Sequence, residues 1–334
     1  MFLIYLCEKH IILAMNKFYN RISRSIRKRY IKIFPPAIPI PPKRDMDPEQ
    51  VSQKIYEALQ SDSPCMIARF GGIEINCVCN YLGIVKPNFI QFIRGIGQPW
   101  WWEPYTMETM KNNAGFFSNT SENLSKFAQM MIQDTPLVDI LAAWRYEEKI
   151  LEKELSNAYK IELEYLTPFW CSTPWTRALE GKKVLVVHPF SETIKKQYKK
   201  RELIHKNPSI LPPFQLKTIK AVQSIGGKDL SDKFKDWFDA LEYMKLEINK
   251  IDYDICIIGC GAYGFPLAAH VKRNGKKAIH MGGATQLLFG IRGQRWENYI
   301  EHFDYNQFMN DYWVRPSNEE TPQQSKSIEG GCYW

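Results

Sequence analysis

One stretch of the chain, residues 254–283, constrains the fold more than any other. It opens with an apolar run of strand length and continues through three glycines, Gly259, Gly261 and Gly264, into text with the composition of a helix. A second short apolar run follows at residues 277–280. This order predicts a β-α-β unit with a tight glycine turn between its first strand and its helix.

The glycine turn predicts a binding site for phosphate. Glycines let a ligand approach bare backbone, and the helix behind them directs N–H groups and the positive end of its dipole at the same place. We therefore expect Gly259, Gly261, Tyr263 and Gly264 to contact a nucleotide. The spacing also matches dinucleotide-binding enzymes, but these need an acid about 20 residues further on for the ribose. Here the second strand ends in HMGG at 280–283, so an enzyme that uses NAD or S-adenosylmethionine, and a turn that binds nothing, stay as alternatives.

Length and composition exclude several classes of protein. With 334 residues and 45% apolar content, the chain can bury one large hydrophobic core or two smaller ones. No run reaches the roughly 20 uninterrupted apolar residues of a membrane-spanning helix, and charges inside the opening apolar stretch argue against a secretory signal. None of the eight cysteines has a partner at C-x-x-C spacing. We expect buried free thiols in a reducing cytoplasm rather than disulfides or a zinc site.

The basic residues are concentrated at the start of the chain. The net charge is +8, and residues 1–44 hold ten of the 44 lysines and arginines beside one acid. Across residues 17–34 apolar side chains recur every three or four positions, with arginines and lysines on the other faces. This basic amphipathic helix is typical of a segment on an anionic membrane surface. A helix packed on its own domain is the alternative; nucleic acid is not expected, because the rest of the chain has no basic excess.

A proline-rich segment marks the clearest boundary. Residues 35–42 hold five prolines and predict a stiff, extended spacer. Asp47 and Pro48 follow with the pattern of a helix start. We therefore expect three parts: an arm and linker over 1–44, a folded domain over 45–316, and a C-terminal tail over 317–334 whose last three residues dock back onto the fold.

Charged side chains follow the first predicted strand of the domain. Residues 65–70 predict a short strand with Arg69 near its end, and Gly71, Gly72 and Glu74 follow it. Open α/β sheets bind ligands where their strands end, so Arg69 and Glu74 are candidate site residues. A structural ion pair between the two is the alternative.

Other candidates follow later strands. A buried strand over 182–187 ends at His188 and is followed by Ser191, which suit phosphate binding or proton transfer, although a polar cap on the strand is the alternative. His280 ends the last strand in the same way. Arg292 and Arg295 close a short helix, and their planar forks of donors suit a diphosphate.

An aromatic loop over residues 98–119 contains Trp101 and Trp102. Tryptophan rings stack on sugars, so these two residues are candidates for acceptor binding, with core packing plus contact at a membrane edge as the alternative. The composition also predicts helices over 121–133 and much of 136–158, and a strand over 217–222.

In chain order, three of these segments resemble the GT-D-type glycosyltransferases. The family's early strand ends in R-F-G-D-G-E. The aspartate and glutamate of this sequence form a D-x-E motif that binds the metal and the nucleotide-sugar diphosphate. Residues 69–74 of this chain are RFGGIE. The middle strand resembles 182–188 and the late β-α-β unit resembles 254–283. Gly72 stands in place of the family's aspartate, which leaves Glu74 as the one acid of the motif for a divalent cation such as Mn²⁺ or Mg²⁺.

The resemblance implies a Rossmann-like α/β fold, with an open, mostly parallel sheet and helices on both faces, after the basic amphipathic helix. It implies a hexosyltransferase-like enzyme that moves sugar from a nucleotide-sugar to a glycan or lipid-linked acceptor in capsule or other surface polysaccharide synthesis, at the cytoplasmic face of a membrane. A non-catalytic sugar-nucleotide-binding scaffold is the alternative. The expected catalytic residues are Glu74, His188 and His280. The expected donor-binding residues are Arg69, Gly71, Gly72, Ser191, Gly259, Gly261, Tyr263, Gly264, Gly282, Gly283, Arg292 and Arg295.

Overall fold

A seven-stranded sheet forms the centre of the molecule. The computed structural model describes residues 2–225, 230, 232–298, 302–322 and 331–334, with side chains from Phe18 onward. The strands in chain order are β1 (Cys65–Ala68), β2 (Ile140–Ala143), β3 (Tyr159–Glu162), β4 (Lys183–His188), β5 (Gln215–Lys220), β6 (Ile255–Ile258) and β7 (Lys277–His280). Their order across the sheet is β3-β2-β1-β7-β6-β4-β5, and each neighbouring pair is parallel. The expected open parallel sheet is confirmed.

Helices cover both faces of this sheet. The α-helices of the described residues are α1 (Phe2–Ile33), α2 (Pro48–Gln60), α3 (Gly72–Val85), α4 (Phe89–Ile93), α5 (Pro104–Asn112), α6 (Ser121–Asp134), α7 (Ser191–Tyr198), α8 (Arg201–Ile204), α9 (Trp237–Asn249), α10 (Gly264–Arg273), α11 (Thr285–Leu288) and α12 (Gln294–Glu297). In β1, Met66 and Ala68 join one hydrophobic core with α3 and α6, while Cys65 and Ile67 join a second core with α2. Because successive strand residues face opposite sides, both faces are buried.

The predicted β-α-β unit is present as β6, α10 and β7. The two strands are parallel neighbours, with Ile255 beside Lys277 and Ile258 beside His280. Gly275, with φ of +74°, follows the end of α10 in the left-handed conformation that glycine tolerates best. The unit therefore forms where its local signals place it.

The prediction of a helix over much of 136–158 was wrong. This segment contains β2 and a 3₁₀ turn over Tyr146–Leu151, and β3, which was not predicted, follows it. A four-residue apolar run cannot be assigned by periodicity alone, and β2 becomes a strand by pairing with β1, where Ile140 lies beside Ile67. The strand predicted over 217–222 is β5 and begins two residues earlier.

The α1 helix packs on the domain through polar side chains. Its Arg27 guanidinium donates hydrogen bonds to the carbonyl oxygens of Phe92, Gly95 and Gly97, the last two at 3.1 Å. These carbonyls lie at and just beyond the end of α4, where a helix leaves acceptors without partners. Ser23 is also buried. The helix is therefore docked on the domain by its polar side.

The apolar stripe of α1 stays exposed. It consists of Phe18, Ile22, Ile26 and Ile33, whose exposed fractions range from 41% for Ile22 to 69% for Ile33. Lys17, the first residue of the predicted membrane-binding segment, has its side chain outside the described residues, as does the part of the tail over 323–330. Of the helices in the described residues, none combines the length and the hydropathy that crossing a lipid bilayer requires.

The segment between α1 and α2 holds the proline-rich residues and ends in a helix cap. Residues 35–42 form neither helix nor strand. Asp47 then caps α2, because its Oδ1 accepts the backbone N–H groups of Glu49 at 3.0 Å and Gln50 at 3.2 Å. Pro48 occupies the first position of the helix, where it loses no hydrogen bond.

Candidate functional site

A cleft of about 390 Å³ lies at the carboxyl ends of the central strands. Parallel strands end at one edge of a sheet, so the residues that close each strand come together there. Five strands, β1, β2, β4, β6 and β7, each contribute a residue at or just beyond the strand end, and these residues are Arg69, Trp144, His188, Gly259 and His280. The cleft thus collects residues that are distant in sequence.

The turn between β1 and α3 forms one wall of the cleft. Gly71 precedes α3, and Glu74 lies in the first turn of that helix, where the helix dipole favours a carboxylate. The Glu74 side chain folds back over the turn, since a Cβ atom at Gly71 would be 1.7 Å from Glu74 Oε2. A side chain at position 71 would therefore displace this carboxylate from its place over the turn.

Arg69 presents a cation to the cleft, and none of its hydrogen-bond donors is used by a residue that the structure describes. Its guanidinium carbon lies 5.1 Å from the ring centre of Trp144, a cation–π contact. Within the described part of the chain, no residue accepts a hydrogen bond from it. Burial lowers the pKa of Arg69, and the nearby Glu74 carboxylate acts in the opposite direction. A ligand oxygen in the cleft would satisfy these donors.

A buried glutamate holds the segment that follows β2. Glu148 Oε1 accepts the backbone N–H groups of Trp144 at 3.3 Å and Arg145 at 3.1 Å. The Trp144 indole N–H donates to the carbonyl of Phe70 at 3.0 Å, and Arg145 Nε donates to Glu147 at 2.9 Å. Burial raises the pKa of Glu148 to about 7. These contacts fix Trp144 and Arg145 at the edge of the cleft.

The glycine turn after β6 is packed against two other loops. A Cβ atom at Gly259 would lie 2.5 Å from the carbonyl oxygen of Gly282, 2.6 Å from Thr285 Oγ1 and 2.7 Å from His188 Cδ2. Gly261 has φ of +58°, and the nearest atom to its Cβ position is 3.7 Å away. Gly259 is therefore required by close packing, whereas Gly261 leaves open backbone beside the cleft.

Both cleft histidines are neutral, and their hydrogen bonds assign different tautomers. His188 Nδ1 accepts the backbone N–H of Phe190 at 3.0 Å, so Nε2 carries the hydrogen. His280 Nδ1 lies 3.3 Å from the carbonyl oxygen of Ile258 and donates to it, so Nε2 holds the lone pair. The pKa of each is lowered to about 3, mainly by burial, and the nearby Arg69 contributes to the lowering for His280. His188 can thus donate a hydrogen bond to a ligand, while His280 can accept one.

The C-terminal residues Tyr333 and Trp334 form another wall of the cleft. The guanidinium carbon of Arg295 lies 4.8 Å from the centre of the Tyr333 ring, and its Nη1 donates to the Tyr333 hydroxyl at 3.2 Å. Gln286 Nε2 donates to the Tyr333 carbonyl at 3.1 Å, and Arg315 Nη1 donates to the Trp334 carbonyl at 2.9 Å. The predicted docking of the chain end is present, and its place is the cleft.

A family model described as a GT-D fold-like domain matches residues 46–288, a range that contains all the strands of the sheet and both glycine turns of the cleft. The chain belongs to this GT-D-like family. No curated protein and no solved structure matches the chain. The family assignment and the Rossmann-like parallel sheet agree with the resemblance seen in the sequence. In this GT-D-like protein, Arg295, Tyr333 and Trp334 line the cleft from outside the matched range.

Most of the predicted site residues of this GT-D-like protein come together in the cleft. Those that line it are Arg69, Gly71, Gly72, Glu74, His188, Gly259, Gly261, Tyr263, His280, Gly282, Gly283 and Arg295. Those that lie outside its lining are Ser191, Gly264, Arg292, Trp101 and Trp102.

Three of the outlying residues have structural contacts of their own. Ser191 is buried at the start of α7. Gly264 packs on His280, because a Cβ atom there would be 2.0 Å from the ring. Arg292 Nη2 donates to the carbonyl of Asn310 at 2.9 Å, on the other side of the segment that carries it.

The two tryptophans proposed for acceptor binding are held in packing contacts. The Trp101 ring meets Phe92 edge-on at 5.3 Å and Trp100 at 5.0 Å, and Trp102 packs against the hydrophobic core. These contacts favour packing within the protein over acceptor binding, and for Trp102 that packing is against the core. Tyr105, from the same part of the chain, lines the cleft instead and is 73% exposed.

Several residues of the cleft were not predicted from the sequence, and they include Asn76, Tyr105, Asn113, Trp144, Arg145, Gln286, Tyr333 and Trp334. Trp144 and Arg145 follow β2 directly. The rule that ligand-binding residues follow the strand ends, which located Arg69 and His188, would also have located Trp144 and Arg145 if the run ILAA at 140–143 had been identified as a strand.

The residues present do not fit a divalent cation held by the protein. Such a cation takes about six or more oxygen ligands, commonly from more than one carboxylate. Among the described residues, Glu74 is the one acid that lines the cleft. The described residues also contain no group of three or more histidine, cysteine or acidic side chains arranged to bind a metal. Gly72 adds no oxygen; its Cβ position lies 3.4 Å from Trp144 and 3.9 Å from Arg145 Cζ.

Proposed function

We propose that the protein is a glycosyltransferase that moves a sugar from a nucleotide-sugar to a glycan or lipid-linked acceptor of cell-surface polysaccharide synthesis. The observation that carries this proposal is the combination of arginines with Glu74 in a cleft at the strand ends of a GT-D-like domain. Arg69, Arg145 and Arg295 line that cleft with a single acid among the described residues. A cleft of this charge suits a diphosphate, which guanidinium groups bind through paired hydrogen bonds.

The proposed reaction forms a bond between an acceptor hydroxyl oxygen and the anomeric carbon of the donor sugar. The bond from that carbon to the diphosphate oxygen breaks, and the nucleoside diphosphate leaves with the electron pair. Negative charge grows on the leaving group, so cations beside it lower the barrier. Arg69 and Arg295 are suited to this role because both line the cleft.

The hydroxyl proton needs an acceptor, and Glu74 is the best candidate. Its carboxylate lines the cleft, whereas the low pKa of both histidines makes them weak bases. In addition, His188 Nδ1 is already occupied by the backbone N–H of Phe190. His280, whose Nε2 keeps a lone pair, is the second candidate, and His188 is suited to donate a hydrogen bond to the donor.

The alternative of an enzyme that uses NAD or S-adenosylmethionine has less support. The strand end where such enzymes carry a ribose-binding acid holds His280, which is buried. Two glycines of the turn, Gly259 and Gly264, are in tight contact with neighbouring side chains. A non-catalytic scaffold is favoured only by Gly72, at the position of the family's aspartate.

We place the enzyme at the inner surface of a membrane, attached peripherally through α1. The exposed apolar stripe of α1 is flanked by exposed basic residues, among them Arg21, Lys28 and Arg29. Phe89 and Ile90 of α4, which contacts α1, are exposed as well. Apolar side chains that insert between lipids and cations that meet anionic headgroups together suffice for peripheral binding.

A second groove supports an acceptor that reaches the cleft from the side of the arm. Its volume is about 690 Å³, and residues of α1, the linker and α5 line it, including Arg24, Arg27 and Pro36. Asn76 and Tyr105 line both this groove and the cleft. The groove therefore offers a path from the membrane-facing helix to the donor, which suits a lipid-linked acceptor.

The test is thermal unfolding of the purified protein with UDP, GDP, CMP, dTDP-sugars, NAD and S-adenosylmethionine. A ligand at about 100 times its dissociation constant stabilises the folded state by roughly 2.7 kcal/mol, which raises the melting temperature. We expect stabilisation by one family of sugar nucleotides. Stabilisation by NAD or S-adenosylmethionine alone would contradict the proposal. Transfer of radiolabelled sugar from the stabilising donor to a membrane extract, lost in Glu74→Ala, then separates an enzyme from a scaffold.

A further inference from the structure

We propose that Arg69, Arg145 and Arg295 bind and neutralise the donor's diphosphate in place of a divalent cation. This inference rests on the proposed function and names the way in which its donor site works. It follows from the mismatch between the metal-binding motif of the family and the side chains that line this cleft.

The charge of the cleft favours a diphosphate without a metal. Three arginines and one acid line it within the described residues. The two histidines stay uncharged, because burial keeps the pKa of each at about 3. Arg145 is paired with Glu147, so the arginines offset part of the double negative charge of a nucleotide-sugar diphosphate and bind it through their remaining hydrogen-bond donors as well. A divalent cation added to this cleft would meet like charges at close range, which weakens its binding.

Arg69 is placed for this task by its surroundings. The Trp144 ring lies along one side of its guanidinium at 5.1 Å, and its Nη1 is 3.4 Å from the position of a Cβ atom at Gly282. The side chain thus lies between an aromatic ring and bare backbone, with no hydrogen bond to a described residue. Two parallel N–H donors in a fixed plane match two oxygens of a phosphate.

Arg145 lies where the family's aspartate would point. Its Cζ is 3.9 Å from the Cβ position of Gly72, so a carboxylate at residue 72 would compete with a ligand for this guanidinium. Glu147 binds Nε and Nη2 of Arg145 and fixes the plane of the group. Nη1 keeps its donors for a ligand, since no residue in the described ranges accepts from it. The loss of the acid at position 72 and the presence of Arg145 are therefore complementary.

Arg295 supplies the third cation from another wall. It is held on the Tyr333 ring and bonded to the Tyr333 hydroxyl, so its guanidinium is ordered before a ligand arrives. Ordered donors lose little conformational freedom on binding and stabilise a leaving diphosphate more effectively than mobile ones.

The first experiment measures dissociation constants of UDP, GDP, CDP and dTDP by isothermal titration calorimetry, in EDTA and in excess MgCl₂ or MnCl₂. For the nucleotide that binds, we expect affinities that agree within about threefold across these conditions. Arg69→Lys and Arg145→Gln should each weaken binding about tenfold or more in EDTA, because the paired donors are lost. The control Arg201→Gln, at a partly exposed arginine that does not line the cleft, should not.

The second experiment restores the family's acid with Gly72→Asp. The new Cβ atom has ordinary contacts, at 3.4 Å or more from Trp144, and an aspartate suits a helix start, so the variant should fold. We expect weaker nucleotide binding in EDTA and recovery of about tenfold or more with Mn²⁺. Circular dichroism confirms that the variant is folded.

The outcomes separate this inference from the function on which it rests. Wild-type binding that requires Mg²⁺ or Mn²⁺ would overturn the inference and leave the glycosyltransferase function standing. Unchanged binding in both Arg69→Lys and Arg145→Gln would overturn it as well. If none of the nucleotides binds with or without metal, the proposed function fails and the inference fails with it.

Discussion

The ring of His280 lies against the backbone of Gly264, so closely that a Cβ atom at position 264 would be 2.0 Å from Cε1 and 2.3 Å from Nδ1 of the histidine. This contact joins the first turn of α10, which follows the glycine turn, to the end of β7. The third glycine of the turn therefore serves the packing of helix on strand. It also sets the ring of His280 at the cleft.

Replacement of Gly264 with alanine should destabilise the protein. The added methyl group has to displace the His280 ring or the start of α10, and such overpacking costs about 1–3 kcal/mol. Urea unfolding measures the change in free energy. Gly72→Ala is the matched control, because its Cβ position is 3.4 Å from the nearest atom and its stability should stay within about 1 kcal/mol of wild type. Equal stability of the two variants would contradict the tight contact.

Glu148 should make stability depend on pH. Burial raises the pKa of its carboxyl to about 7, so the neutral form stabilises the fold below the ordinary value of 4.5 and this contribution is lost as the pH rises through about 7. Glu148→Gln keeps an oxygen for the N–H groups of Trp144 and Arg145 and cannot ionise. We expect the free energy of unfolding of this variant to exceed that of wild type by up to about 3 kcal/mol at pH 8 and to match it near pH 5.

Urea unfolding at a series of pH values tests this expectation. The control Glu57→Gln, on the exposed surface of α2, should show no gain at pH 8. A difference between Glu148→Gln and wild type that stays constant from pH 5 to pH 8 would show that the Glu148 carboxyl does not titrate in this range.

Glu74→Gln should remove catalysis while it spares donor binding. The amide has the size of the carboxylate but cannot take the acceptor's proton, and loss of a general base costs about 10²–10⁴-fold in rate. Nucleotide binding should stay within about threefold, or tighten, since a negative charge leaves the cleft. Initial rates of sugar transfer and calorimetric titration measure the two quantities. Full transfer activity in this variant would show that another group accepts the hydroxyl proton, and His280 would be the next candidate.

Tyr333→Ala should weaken nucleotide binding about tenfold, because Arg295 loses the ring on which it lies. Tyr333→Phe keeps that ring and removes only the hydroxyl that accepts the 3.2 Å hydrogen bond from Arg295, so its effect should be several times smaller. Calorimetric titration of both variants with the same nucleotide makes the comparison. Equal losses in the two would show that the hydroxyl, and not the ring, positions Arg295.

The parts of the fold that the sequence predicts are those with local signals. β6, the glycine turn, α10 and β7 form where apolar runs and glycines indicate, and Asp47 with Pro48 starts α2 as expected. β2 carries only four apolar residues, which suit a helix equally well, and becomes a strand through pairing of Ile140 with Ile67 from a distant segment. That pairing is a property of the whole sheet.

The same distinction holds for the cleft. Residues that follow predicted strands, such as Arg69 and His188, were found by one topological rule, and Trp144 was missed because its strand was missed. Tyr333 reaches the cleft from the chain end, which no local pattern indicates. Trp101 has a side chain suited to sugars, but its ring is enclosed by Phe92 and Trp100. Composition identifies what a side chain can bind, and packing decides whether a ligand reaches it.

The exposed stripe of α1 should govern binding to membranes. Phe18→Ser combined with Ile22→Ser leaves the charge of the helix unchanged and removes two apolar side chains that are 62% and 41% exposed. Because each inserted side chain contributes about 1 kcal/mol or more, affinity for vesicles of phosphatidylserine and phosphatidylcholine should fall about tenfold or more. The melting temperature should stay unchanged, since these side chains are exposed in the folded protein.

Sedimentation with the vesicles measures the bound fraction. Leu246→Ser, a control with a side chain of 59% exposure on α9, should bind as wild type does. Wild-type binding should also weaken as salt rises, because the arginines and lysines of α1 attract anionic headgroups only within the Debye length. Failure of the wild type to bind these vesicles, or equal binding by the double variant, would contradict attachment through α1. The groove shared with the cleft would then serve a soluble glycan acceptor instead.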